Sequence, residues 1–121
     1  MIYRLNKTAA TAILVAMLTV PGLGTARETQ SHSITIRNHQ FVPSHLELPP
    51  GIKVKLTIRN QDNLPAEFES VDLSREVVVP VNLSVSIFIG PLNAGKYEFF
   101  NDFNPTMRGW IVVNPVKEIR N

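Results

Sequence analysis

The sequence predicts an all-β chain folded as a Greek-key β-sandwich of about seven to eight strands. Three observations lead there: apolar residues recur with period two through the chain beyond residue 26, turn-forming clusters return at roughly 8 to 12 residue spacing, and no segment there offers a convincing helical face. Period two turns one set of side chains to a core and the other to water, as in half-buried sheets.

The elements follow in order. Ile34 and Ile36 alternate with Thr35 and Arg37, and Leu46 to Leu48 is a shorter candidate closed by Pro49-Pro50-Gly51. Val54, Leu56 and Ile58 alternate with Lys53, Lys55, Thr57 and Arg59 before the turn cluster Asn60-Gln61-Asp62-Asn63. Two short strands, Glu67 to Ser70 and Glu76 to Val79, flank Val71 to Arg75, whose weak helical pattern reads as a loop. After Pro80-Val81-Asn82, the residues Leu83, Val85, Ile87 and Ile89 alternate with Ser84 and Ser86, and Gly90-Pro91 and Asn93-Ala94-Gly95 then break the chain. Tyr97 to Phe100 and Trp110 to Val113 are the last strands, separated by a turn from Asn101 to Pro105. A Tyr just after a tight Gly turn is expected to bond its phenol back to nearby backbone and pin a strand crossing.

The first 26 residues read as a signal peptide. Arg4 and Lys7 precede an uncharged run from Thr8 to Val20, Pro21-Gly22 breaks it, and Gly24-Thr25-Ala26 supplies the small residues at a cleavage site before Arg27. The run is shorter than the roughly 18 apolar residues a membrane span needs, so the mature domain, residues 27–121, is expected not to be membrane-inserted. This changes the meaning of the charge. The whole chain has 12 Lys+Arg against 10 Asp+Glu, a formal +2; losing Arg4 and Lys7 leaves a neutral domain, so no nucleic-acid partner is expected. The chain has no cysteine, which excludes disulfides, thiolate zinc sites, Fe–S clusters and cysteine nucleophiles.

Catalytic residues are not predicted. His32, His39 and His45 all lie early in the domain, and no Ser sits in a Gly-flanked elbow. Glu67 and Glu69, two apart on one strand, would lie side by side and could not flank a glycosidic bond.

The acidic residues carry more. In Pro65-Ala66-Glu67-Phe68-Glu69-Ser70, alternation buries Phe68 and sends Glu67 and Glu69 to the opposite face, with Glu76 one short loop later and Asp102 in the aromatic-rich turn Phe99 to Pro105. A hard multivalent cation could gather such oxygens. The competing reading is a set of solvated carboxylates balanced by Lys53, Lys55, Arg59, Arg75 and Arg108.

The order of features resembles the cupredoxin-like domain family, and most closely its EfeO-type branch, over residues 32 to 114. The resemblance rests on Gln40-Phe41-Val42-Pro43, Leu48-Pro49-Pro50-Gly51, Arg59-Asn60-Gln61-Asp62, Pro65 to Ser70, Arg75-Glu76-Val77-Val78, Gly90-Pro91-Leu92 with Gly95-Lys96-Tyr97-Glu98-Phe99, and Met107-Arg108-Gly109. Against the blue-copper pattern, the Cys position falls on or near Asn101, the second His on Asn104, the Met on Met107 and the early His near Glu67. No type 1 copper is therefore expected.

The resemblance implies a small periplasmic protein that accompanies a high-affinity iron permease and binds iron or copper at a carboxylate-rich site at one end of the barrel. Carried over, Glu67, Glu69 and Glu76 match, Asp102 replaces a Glu, and Asn104 departs from a His. Asn104, Met107 and His39 are secondary metal candidates. The expected partners are a membrane iron permease or a periplasmic iron-binding protein, with accessory Fe(II) oxidation as a related role. The alternative is a metal-free β-sandwich interaction module docking on a transporter or periplasmic partner.

Overall fold

Alternation along each strand decides which side chains meet in the middle of this molecule. The structure is a computed structural model that describes residues 29–117; the signal peptide expected over residues 1–26 lies outside the described residues. Nine strands are present among them: β1 (Gln30–Arg37), β2 (Gln40–Val42), β3 (His45–Leu48), β4 (Val54–Asn60), β5 (Ala66–Ser70), β6 (Arg75–Val79), β7 (Ser84–Ile89), β8 (Gly95–Asn101) and β9 (Asn104–Val113). They form two sheets, ordered β2-β1-β4-β7 and β3-β9-β8-β5-β6, and the described residues contain no helix. The all-β sandwich expectation holds.

The sheets are mixed, because β1 runs parallel to β4 and β3 parallel to β9, while the other pairs are antiparallel. Pairing of this kind joins strands distant in sequence, so no hairpin signal announces it. The strand β2 has no counterpart in the sequence reading. It is created by a two-residue hairpin turn in which Asn38 and His39 both take positive φ, 52° and 57°, the geometry that matches the twist of a tight hairpin. The expected turn over Asn101 to Pro105 is also shorter than read: β9 already begins at Asn104, and Pro105 lies where β9 extends past β3, whose pairing starts at Trp110.

The core forms where the two inner faces meet. Ile34, Leu56, Ile58, Phe68, Phe99 and Ile111 are fully buried. Phe41 and Phe99 pack edge to face at 5.0 Å, and Phe68 stacks on Phe99 at 5.1 Å. A Cβ on Gly109 would drive into the Phe99 ring and come within 2.7 Å of the Ser44 carbonyl, so this glycine is required by close packing. Tyr97 Oη donates to the Asn93 carbonyl at 2.8 Å, the backward bond expected of it. At the opposite end, buried Asn60 donates to the carbonyls of Leu64 and Val79 at 2.8 and 3.1 Å and accepts from the Asp62 N–H at 2.9 Å, which fixes the loop entering β5.

Candidate metal centre

The strand β5 has Phe68 and Ala66 on its inner side, so Glu67 and Glu69 point from the other face of the five-stranded sheet. The neighbouring strand brings a third carboxylate there, since Glu69 and Glu76 are direct register partners of β5 and β6. One carboxylate oxygen from each of Glu67, Glu69 and Glu76 lies within 4.8 Å of the others. Glu67 is buried, 8% exposed, although it stands on the outward side of its sheet. Its Oε1 is a buried atom with no hydrogen-bond partner. A carboxylate oxygen left in that condition is costly unless something else supplies positive charge or a proton.

No basic side chain among the described residues does so. Among the described residues the ion pairs within 4 Å are His39–Asp62 and Arg108–Glu98. Arg108 also lies over the Phe100 ring, and Arg75 spends its guanidinium on the carbonyls of Phe88 and Ser74, at 3.0 and 3.1 Å. Lys53 sits over the Phe88 ring, while Lys55 and Arg59 belong to β4 in the other sheet. The balancing cations that the sequence offered are engaged elsewhere or placed on the wrong sheet.

The electrostatics follow from this crowding. The Glu67 carboxyl is pushed up from 4.5 to about 7, first by a hydrogen bond to Glu76 that needs a proton between the two carboxyls, then by burial, then by repulsion from Glu76, Asp102 and Glu69. Glu69 is raised too, by burial and by the charges of Asp102 and Glu76. Asp102 is therefore an electrostatic neighbour of the cluster, and its backbone N–H donates to the Glu67 carbonyl at 3.0 Å.

The secondary candidates gather in a different place. His39, Asn104 and Met107 line a cavity of about 60 Å³ with Asp62, Ala66 and Asn101, on the core side of β5. His39 donates its backbone N–H to Asp62 Oδ2 at 2.9 Å, and its Nδ1 is 3.4 Å from the same oxygen, while Asn104 Oδ1 accepts the Thr106 hydroxyl at 2.7 Å. The expected single site thus divides into an outward carboxylate cluster and an inward cavity behind it.

Two donor sets can be weighed against two kinds of ion. A thiolate copper centre does not fit the cavity: no cysteine exists, and Asn101, at the expected Cys position, has its amide committed to Glu67 N–H, Phe103 N–H and the Met107 sulfur. A hard or borderline cation fits the carboxylate cluster, where three oxygen donors converge and one is buried without a partner. Asn101 is the residue that sequence reasoning undervalued, because a polar amide in a turn gives no sign that it will be buried.

Comparison with known proteins bears on the frame that carries this cluster. The model of the cupredoxin-like domain family matches residues 10–113. An uncharacterized protein of Rickettsia prowazekii (strain Madrid E) is 48% identical over 82 residues, which is 67% of this chain and 66% of that protein, so the match spans just under two thirds of its length. Among solved structures, the metal-binding domain of the Streptococcus pneumoniae Cu(I)-exporting P-type ATPase CopA, with Cu(I), aligns with a TM-score of 0.63 and 20% identity, covering 78% of this chain and 92% of that one. A reduced amicyanin variant aligns with a TM-score of 0.56 and 21% identity, covering 69% and 82%. At those identities the likeness is one of fold. With the family match spanning most of the sequence and the sandwich agreeing with it, the chain belongs to the cupredoxin-like domain family.

Proposed function

We propose that this chain is a periplasmic metal carrier that binds iron or copper at Glu67, Glu69 and Glu76, with Asp102 steering the ion, and that it supports iron uptake through a membrane permease. The observation that carries the reading is the buried Oε1 of Glu67, which meets no donor unless a proton is shared with Glu76, inside a group of three carboxylates that no Lys or Arg among the described residues pairs. Desolvated oxygens held together without a counter-charge favour a multivalent cation over water. An oxygen-only donor set selects ferric, ferrous or cupric ions over cuprous, which prefers sulfur. Glu69 is only half-buried and Glu76 exposed, so the site is open on one side, as transient loading and release require. A membrane permease or a periplasmic iron-binding protein is the partner that receives or supplies the ion.

The reading is tested by anaerobic titration of the mature chain with Fe(II), and by Fe(III) and Cu(II) titrations in air, repeated on Glu67→Gln. Saturable binding that is weakened in the variant is expected; equal and negligible binding by both proteins would overturn the proposal.

A docking role has its own support in exposed apolar side chains near the same end: Leu64 before β5, Phe103 in the β8–β9 turn and Leu83 after β6 are 59%, 53% and 55% exposed. Under that reading, a chain lacking all four carboxylates still supports iron uptake by cells, whereas the carrier reading requires uptake to fail.

A further inference from the structure

Asn101 is 4% exposed, and each polar atom of its side chain is bonded. Its Oδ1 accepts two backbone donors, Glu67 N–H at 2.9 Å and Phe103 N–H at 3.1 Å, and its Nδ2 donates to the Met107 sulfur at 3.4 Å. The ladder between β5 and β8 explains why the amide stands there. That ladder pairs Glu69 with Phe100 and Phe68 with Asn101 and stops there, at the point where the pairing of β8 with its other neighbour, β9, shifts register between Phe100 and Asn101. Beyond it, the edge of Glu67 that faces β8 no longer meets a regular strand. Its N–H finds the Asn101 amide oxygen, and its carbonyl accepts the Asp102 N–H at 3.0 Å.

We infer that Asn101 is the positioning residue of the carboxylate cluster: its amide oxygen holds the backbone of Glu67 and of Phe103 at once and so sets where the Glu67 and Asp102 carboxyls stand relative to one another. This rests on the carboxylate cluster being a cation site. Asn101 does not touch the ion; it fixes the main chain on both sides of it, from the core side of the sheet. The bond to Met107 anchors the amide in the orientation that presents Oδ1 to the two N–H groups. Groups of this kind, which orient ligands without ligating, typically change metal affinity about 10- to 100-fold when removed.

The test is a titration of the mature chain with Fe(II) under argon and with Cu(II), comparing wild type, Asn101→Leu, Asn101→Asp and Met107→Leu, each checked for folding by thermal melting. Tyr97→Phe, which loses a hydrogen bond at the far end of the sandwich, controls for general destabilisation. Asn101→Leu keeps the volume and strands both N–H groups, and an affinity loss of about 10- to 100-fold is expected. Asn101→Asp keeps the acceptor oxygen, and its binding is expected to be undiminished, a rescue that a purely structural role would not give. Tyr97→Phe is expected to bind like wild type, and Met107→Leu, which removes the anchor of the amide, to bind more weakly than wild type. Folded Asn101→Leu binding as tightly as wild type overturns the inference and leaves the cation site standing. If Asn101→Leu does not fold, folded Asn101→Asp decides: undiminished binding supports the role of the oxygen, and a loss of tenfold or more overturns it. No binding by wild type overturns the cation site and this inference together.

Discussion

Glu69 and Glu76 face one another directly across the β5–β6 ladder, and on its other side Glu69 faces Phe100. Like charges directly opposite in a sheet are destabilising, and here no cation lies within ion-pair distance of either carboxylate among the described residues. The metal-free protein is therefore strained where the ion is proposed to bind. Replacing Glu76 with Gln removes one charge and keeps the shape, so the metal-free variant is expected to melt at a higher temperature than wild type. The rise in melting temperature on adding Cu(II) or Fe(II) is expected to shrink or vanish. A variant less stable than wild type without metal would show that the pair is not repulsive.

The pH dependence follows from the raised carboxyls. The Glu67 pKa is about 7 in the folded protein against an ordinary value of 4.5, so between those values the folded state binds more protons than the unfolded state. The contribution of Glu67 to stability is fully present below pH 4.5 and is lost as pH rises through about 7, and the raised Glu69 acts in the same direction. Urea unfolding in the presence of a chelator, at pH 5 and at pH 8, is expected to show wild type losing stability relative to Glu67→Gln as pH rises. Equal pH profiles for the two proteins would contradict the assignment.

Gly109 makes the aromatic core possible. Gly109→Ala places a methyl against Phe99 and the Ser44 carbonyl, and Phe99 cannot retreat because it packs on Phe41 and Phe68. Overpacking of this kind costs about 1–3 kcal/mol, measurable as a lower urea midpoint with an unchanged slope.

Tyr97 provides the contrast, a structural bond remote from the carboxylates. Tyr97→Phe removes the hydrogen bond to Asn93 and is expected to cost about 0.5–1.5 kcal/mol while leaving metal titration unchanged.

The fold was legible where information is local. The alternation around Phe68 placed Glu67 and Glu69 on one face, and the turn before Tyr97 announced a bond back to nearby backbone, which the structure places at the Asn93 carbonyl. Parallel pairing of β1 with β4 and of β3 with β9 was hidden, because the partners are separated by whole elements and no turn fixes their register. The strand β2 was missed because Asn38-His39 makes its hairpin turn without the glycine that usually marks one. In the candidate site, the triad was legible and its separation from His39, Asn104 and Met107 was not. That division depends on which face of β5 each residue meets, and the register shift of β8 against β9 between Phe100 and Asn101 follows from no local pattern. The near-complete burial of Glu67 was equally invisible, since alternation assigned it to the wet side.

In the carrier proposal the ion is held by the outward carboxylates and not in the cavity beside Met107. X-ray absorption spectroscopy of the protein loaded with Cu(II) or Fe decides between the two places. A first shell of oxygen scatterers alone is expected, retained in Met107→Leu and lost in Glu67→Gln. A sulfur scatterer in that shell, or a spectrum unchanged by Glu67→Gln, would contradict it.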